Sequence, residues 1–256
     1  MTSTVDTADA GHEVTRGPVH RRSWSWWWRP SSVTLKLVMA GTGVVFALFV
    51  LVHMIGNLKV YSGAAHFDAY AHWLRTLAEP LLPYEGALWI FRIVLSACLI
   101  AHVGAALLLT GRAHRARGRF RRRRLGVGLS PLETLRSYTA RTMLVGGVVL
   151  LLFIVFHILD LTVGARPAAS AAFESGHAYA NLVASFSRPA VGAFYLLAMV
   201  VLGAHLLHGL YTAVNDLGVT GHRLRQVGVA LGGLLALAVM VGNMTIPVAV
   251  WTGVLT

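Results

Sequence analysis

The chain reads as an all-α integral membrane protein, a bundle of five transmembrane helices with its N-terminus in the cytoplasm. Three observations predict that class. Five runs exceed the roughly 18 apolar residues needed to cross a bilayer, at about 33–56, 86–111, 139–163, 189–214 and 227–250. Charged residues make up 12% of the chain, about half the share of an ordinary soluble domain. The runs are built from Leu, Val, Ala and Gly without the polar–apolar alternation of barrel strands, so they read as helices.

The basic residues set the orientation. Arg112, Arg115, Arg117, Arg119, Arg121, Arg122, Arg123, Arg124 and Arg136 lie between the second and third runs, with Arg141 just inside the third. Arg16, Arg21, Arg22 and Arg29 precede the first run, and Arg223 and Arg225 follow the fourth. The other two connections hold most of the acids, Asp68, Glu79, Glu85 and Glu174. By the positive-inside rule the N-terminus is cytoplasmic and the C-terminus lies outside. The net charge of +12 is thus a topology signal and an attraction to anionic lipid, with room for a soluble partner, and no nucleic-acid role is expected. No cleavable signal peptide is expected, and the single Cys98 excludes an internal disulfide or a four-cysteine cluster.

Residues 1–30 read as a mobile cytoplasmic tail, and 31–256 as the membrane domain. Trp24, Trp26, Trp27 and Trp28 end the tail and suit the interfacial belt. The first run carries Gly41 and Gly43, which permit a close neighbour, and His53 near its outer end. His66, Phe67, Tyr70, His72 and Leu74 follow at helical spacing, predicting a short interfacial helix closed by Pro80 and Pro83. The second run returns inward with Arg92 in its outer third and His102 in its inner third. Arg92 at that depth is a functional candidate, or snorkels to the outer interface. The third run carries Gly146 and Gly147, then His157 and Asp160 near its outer end; its glycine-to-histidine spacing resembles that of the first run. The fourth carries His205 and His208, and the fifth has only Asn243 as a strongly polar group, so it reads as a packing helix.

Four apolar helices each carry a histidine, and their depths agree in pairs. His53 and His157 lie near the outer ends of outgoing helices; His102 and His205 lie about two-thirds along ingoing ones. At 1.5 Å per residue the two levels differ by about 12–16 Å. Two bis-imidazole sites stacked across the membrane suit two haems that carry electrons, since neither site keeps a position open for oxygen.

The order of the motifs resembles the five-helix cytochrome b subunit of succinate:quinone oxidoreductases and fumarate reductases, the type with one membrane polypeptide and two haems. The resemblance covers about 33–250. It rests on His53-Met-Ile-Gly-Asn-Leu in the first helix, His102 in the second, Phe156-His157 in the third, and His205-x-x-x-Gly209-Leu-Tyr with Asp216-Leu-Gly218 in the fourth. It implies two haems b, with His53 and His157 as the outer ligand pair and His102 and His205 as the inner pair. In that family the fourth-helix ligand stands four residues before the glycine, which selects His205 and keeps His208 in reserve. The resemblance further implies a membrane anchor of succinate dehydrogenase in a bacterial cytoplasmic membrane. It would dock a flavoprotein with FAD and an iron–sulfur subunit at the cytoplasmic face and pass electrons through haem to a membrane quinone, taken as menaquinone. A glutamate that some members carry two residues before the fourth-helix ligand is Gly203 here, which puts proton transfer by that route in doubt.

Quinone contacts are expected from Tyr61, Tyr84, Glu85 and Arg92 at the outer face, or Ser32, Lys36, Arg141 and Asn215 at the inner face, and the two faces stay open. Three other readings are weighed. Cys98 lies one turn from His102 and Asp160 nearly one turn from His157, so a mixed Cys/His/Asp iron–sulfur site could replace a haem. The chain could be the haem b subunit of another respiratory dehydrogenase. A transporter would instead show broken helices or repeated intramembrane acids.

Overall fold

The computed structural model describes residues 30–117, 131–219 and 221–256. The four tryptophans and most of the tail, together with Arg119 and Arg121 to Arg124, lie outside the described residues, as do the side chains of Arg136 and Arg141. Every regular element among the described residues is helical. Five helices are long and apolar enough to cross a membrane.

Helix α1 spans Ser32–Asn57 and tightens into a 3₁₀ turn over Leu58–Ser62. Gly63, at φ 91°, redirects the chain into α2, Ala64–Arg75. The positive φ is the conformation that glycine adopts without a Cβ penalty. Helix α2 is the expected interfacial helix, but Pro80 and Pro83 do not close it. It ends where the Thr76 N–H bonds to the His72 carbonyl, and the connection folds back so that the Glu85 N–H reaches the Arg75 carbonyl. The helix has thus ended before Pro80 is reached, and its last carbonyls find partners in the turn and the returning connection.

Helix α3 spans Gly86–Arg117 and α4 spans Pro131–His157. The last turn of α4 widens into a π segment, Ile158–Val163. Helix α5, Ala178–Phe186, was not expected; its Leu182 and Phe186 are buried at i,i+4 spacing, but it is too short to register as a span. Helix α6 runs Pro189–Asp216 with proline at its start, and α7 runs His222–Trp251. All the spans extend past the apolar runs, α3 by a turn and a half of Arg, Ala and His. Hydropathy reports where lipid ends, whereas the helix continues through good helix formers into water.

Helix α6 holds the centre, packing on α7, α4 and α1, and α1 packs in turn on α3 and α7. Small residues make these contacts close. Ala47, Ala198 and Ala236 are buried, and Gly203 faces Met240 while Gly242 faces Met54. Such close approach is how helices associate in lipid, where leaving water drives nothing. A second cluster, with Val60, Phe67, Leu182, Phe186 and Ile246, binds α2 and α5 over one end of the bundle. The Tyr179 N–H donates to Asp68 there, joining the two short helices.

A buried polar knot ties the π segment to α5 and α6. The Asp160 side chain has no solvent exposure and lies 2.7 Å from an Arg188 guanidinium nitrogen. Its other oxygen accepts from Ser185 at 2.5 Å and from Tyr195 at 3.0 Å. Arg188 also donates to the carbonyls of Ala168 and Ser185. A charge at this depth persists because both of its oxygens accept hydrogen bonds, one of them from a cation.

Two stability outcomes follow. Arg188→Met strands a fully buried carboxylate and is expected to cost about 3–5 kcal/mol. Asp160→Asn leaves an arginine that is 30% exposed and still bonded to carbonyls, so it costs less. Thermal unfolding in detergent that reversed this order would contradict the account. Gly192→Ala would put a methyl 2.5 Å from the Trp251 ring, whose N–H caps the Phe186 carbonyl, and is expected to lower stability by about 1–3 kcal/mol in the same assay.

Candidate functional site

The four histidines of the spanning helices meet in two pairs. His53 of α1 faces His157 of α4 with ring centroids 5.8 Å apart and planes 87° apart. His102 of α3 faces His205 of α6 with centroids 6.4 Å apart and planes 54° apart. Two imidazoles bonded to one metal atom at about 2 Å each have centroids about 6 Å apart, so each pair has the spacing of a shared metal. It is His205 that meets His102; His208 lies one turn further along α6, half-buried.

An internal repeat builds this arrangement. Gly43-Val-Val-Phe-Ala-Leu-Phe-Val-Leu-Val-His53 in α1 matches Gly147-Val-Val-Leu-Leu-Leu-Phe-Ile-Val-Phe-His157 in α4 at six of eleven positions. The shared phenylalanines lie one turn before the histidines and stack on them, Phe49 on His53 and Phe153 on His157. The shared glycines face the other pair: a Cβ on Gly43 would lie 3.5 Å from His102 Cε1, and one on Gly147 3.8 Å from His205 Cε1. Each glycine stands ten residues before the histidine of its own helix, so the two pairs are separated by about 15 Å along the helix axes. Helices α3 and α6 repeat more loosely, Phe91 and Phe194 each standing eleven residues before His102 and His205.

Polar side chains reach two of the four rings and leave a third without a partner at Nδ1. The Tyr195 hydroxyl lies 3.3 Å from His157 Nδ1, and Thr42 Oγ1 lies 3.0 Å from His102 Nδ1. His205 Nδ1 is buried with no hydrogen-bond partner. The repeat explains the difference, because Gly146 stands where α1 has Thr42. Sequence reasoning missed Tyr195, Thr42, Ser185 and Arg188. An alignment of the chain with itself would have pointed to Thr42 as the position where the two halves differ, but no spacing rule marks Tyr195.

The remaining candidates distribute to the two ends. At the end covered by α2 and α5, Arg92 lies over Trp89 and donates to Glu85, which also pairs with Arg75. Tyr61 and Tyr84 are exposed there. At the opposite end Ser32 and Lys36, one turn apart on α1, meet Arg112 of α3 at 2.9 Å and Asp216 of α6 at 3.4 Å. Asn215 beside Asp216 donates to the Tyr211 carbonyl. Asp160 spends its oxygens on Arg188, Ser185 and Tyr195, and Cys98 is half-buried. No cluster of three or more His, Cys, Asp or Glu suited to a metal occurs among the described residues.

Residues 115–244 match the family described as the succinate dehydrogenase/fumarate reductase transmembrane subunit. The chain is also 24% identical over 173 residues to the succinate dehydrogenase cytochrome b558 subunit of Bacillus subtilis (strain 168), a match covering 68% of this chain and 73% of that one. No solved structure matches. The family match takes in the third and fourth spans with their histidines, His157 and His205, and half of the chain in all; the chain belongs to the transmembrane subunits of succinate dehydrogenases and fumarate reductases.

Proposed function

We propose that the chain is the haem-bearing, quinone-reactive anchor of a succinate dehydrogenase, with His53 and His157 holding one haem b and His102 and His205 a second. The single observation that carries this is the facing of four part-buried imidazoles in two pairs at the spacing of a shared metal. The residues present fit the group. The donors are imidazoles, no third ligand joins either pair among the described residues, and Gly43 and Gly147 stand beside His102 and His205. Haem, when bound through two imidazoles, supplies a one-electron carrier with no open position for oxygen.

The chain's own residues then have separable tasks. The four histidines hold the groups, Phe49 and Phe153 fix ring planes by stacking, and the apolar bundle excludes water. The stagger of about 15 Å spreads the two sites across the membrane. The positive-inside rule applied to the arginines between the second and third spans supports a cytoplasmic position for that end, where a flavoprotein subunit with FAD and an iron–sulfur subunit would dock. On this reading electrons enter at the level of His102 and His205. Ser32, Lys36 and Asn215, which α1 and α6 bring to that end, and Tyr61, Tyr84, Glu85 and Arg92 at the other are the two groups offered to a membrane quinone.

The expected result is two haems b per chain in a dithionite-reduced-minus-oxidised spectrum of the purified protein. His53→Ala and His157→Ala are expected to remove one haem, and His102→Ala and His205→Ala the other. A chain isolated from its own membrane with full-length partners yet without haem or iron would end the electron-transfer reading. Succinate-driven reduction of the haem in the co-purified complex tests the partners.

A further inference from the structure

We propose that Tyr195 and Thr42 are positioning residues that set the proton and the ring plane of one imidazole in each pair, His157 and His102 respectively. The inference rests on the haem-ligand reading above and deepens it. Each hydroxyl has a single proton, and in both cases that proton is already committed elsewhere. Tyr195 donates to Asp160 Oδ2 at 3.0 Å, an acceptor-only carboxylate that is itself held by Arg188 and Ser185. Its oxygen can therefore meet His157 Nδ1, 3.3 Å away, only as an acceptor. The proton of His157 then sits on Nδ1, and Nε2 is the nitrogen with the free lone pair. Thr42 repeats the logic with backbone in place of a carboxylate. Its hydroxyl faces the Val38 carbonyl at 2.7 Å and that of Met39 at 3.2 Å, so its oxygen accepts from His102 Nδ1 at 3.0 Å.

The internal repeat makes these anchors complementary. The counterpart of Thr42 in the second half is Gly146, and His205 Nδ1 is left without a partner. The counterpart of Tyr195 in the first half is Arg92, whose guanidinium turns to Glu85. Each pair therefore contains a ring oriented by a hydroxyl from a helix other than its own, and the two hydroxyls come from opposite halves of the repeat. An outer hydrogen bond of this kind orients a metal-bound imidazole and makes it a stronger donor.

The test uses the purified complex with its partner subunits, Tyr195→Phe and Thr42→Val, haem quantitation, low-temperature EPR of the oxidised protein and a redox titration. Both variants remove one hydroxyl at nearly constant volume. The expected result is full haem content, with Tyr195→Phe shifting the low-field g value and raising the midpoint potential of one haem, and Thr42→Val doing so for the other. A third variant, Gly146→Ser, gives His205 a hydroxyl, and a Cβ there meets only Val201 at 3.5 Å. It is expected to lower the potential of the haem that Thr42→Val raises. Unshifted g values and potentials in haem-replete Tyr195→Phe and Thr42→Val, or shifts of the same haem by both, would overturn the proposal. If either of those variants loses its haem, an unchanged potential in Gly146→Ser overturns it instead. Absence of haem from the unaltered complex would overturn the haem-ligand reading itself, a separate outcome.

Discussion

An imidazole buried among apolar helices has two ring nitrogens to satisfy, and water is not there to do it. Much of this bundle follows from that requirement. The four spanning histidines are brought together two by two, and Tyr195 and Thr42 approach one ring of each pair. The aliphatic surface elsewhere needs no such partner. Its large apolar side chains face outward, as with Val52, Ile100 and Leu152. In lipid this exposure costs nothing, and helix association falls to small residues and a few polar ties.

The same requirement governs charge. Asp160 is the one acidic side chain buried among the described residues, and Arg188, Ser185 and Tyr195 fill its oxygens. The knot does two structural jobs at once. It locks the π segment after His157 against α5 and α6, and it fixes the direction in which the Tyr195 hydroxyl points. Other charges avoid the interior by pairing at the ends, Arg92 with Glu85 and Lys36 with Asp216. A π segment widens the helix by one residue per turn, and here it begins immediately after a candidate ligand, turning Asp160 toward Arg188.

The repeat between α1 and α4 gives the bundle its economy. One eleven-residue pattern supplies a histidine for its own level, a phenylalanine to stack on it, and a glycine that faces the histidine of the other level. Because glycine and histidine are ten residues apart in both copies, the two levels keep the same separation on both sides of the bundle. The copies differ where the polar anchors are needed, at Thr42 against Gly146.

By itself the sequence determined the helical class, the five spans and the depth of each histidine. Lipid thickness and helix rise turn residue counts directly into positions along one axis. Depth alone also indicated which histidines could share a level, since a site across two helices requires it. Lateral information was missing. Nothing in the spacing of residues along the chain says that Tyr195 reaches His157, that Arg188 folds back onto Asp160, or that Ser32 and Lys36 meet Arg112 and Asp216. Those contacts depend on how each helix is rotated and which neighbours it packs against, and rotation is set by side-chain packing between helices rather than by hydropathy along one. Helix α5 and the end of α2 were hidden for a related reason. Short interfacial helices are stabilised by the surface they dock on, which only the tertiary structure provides.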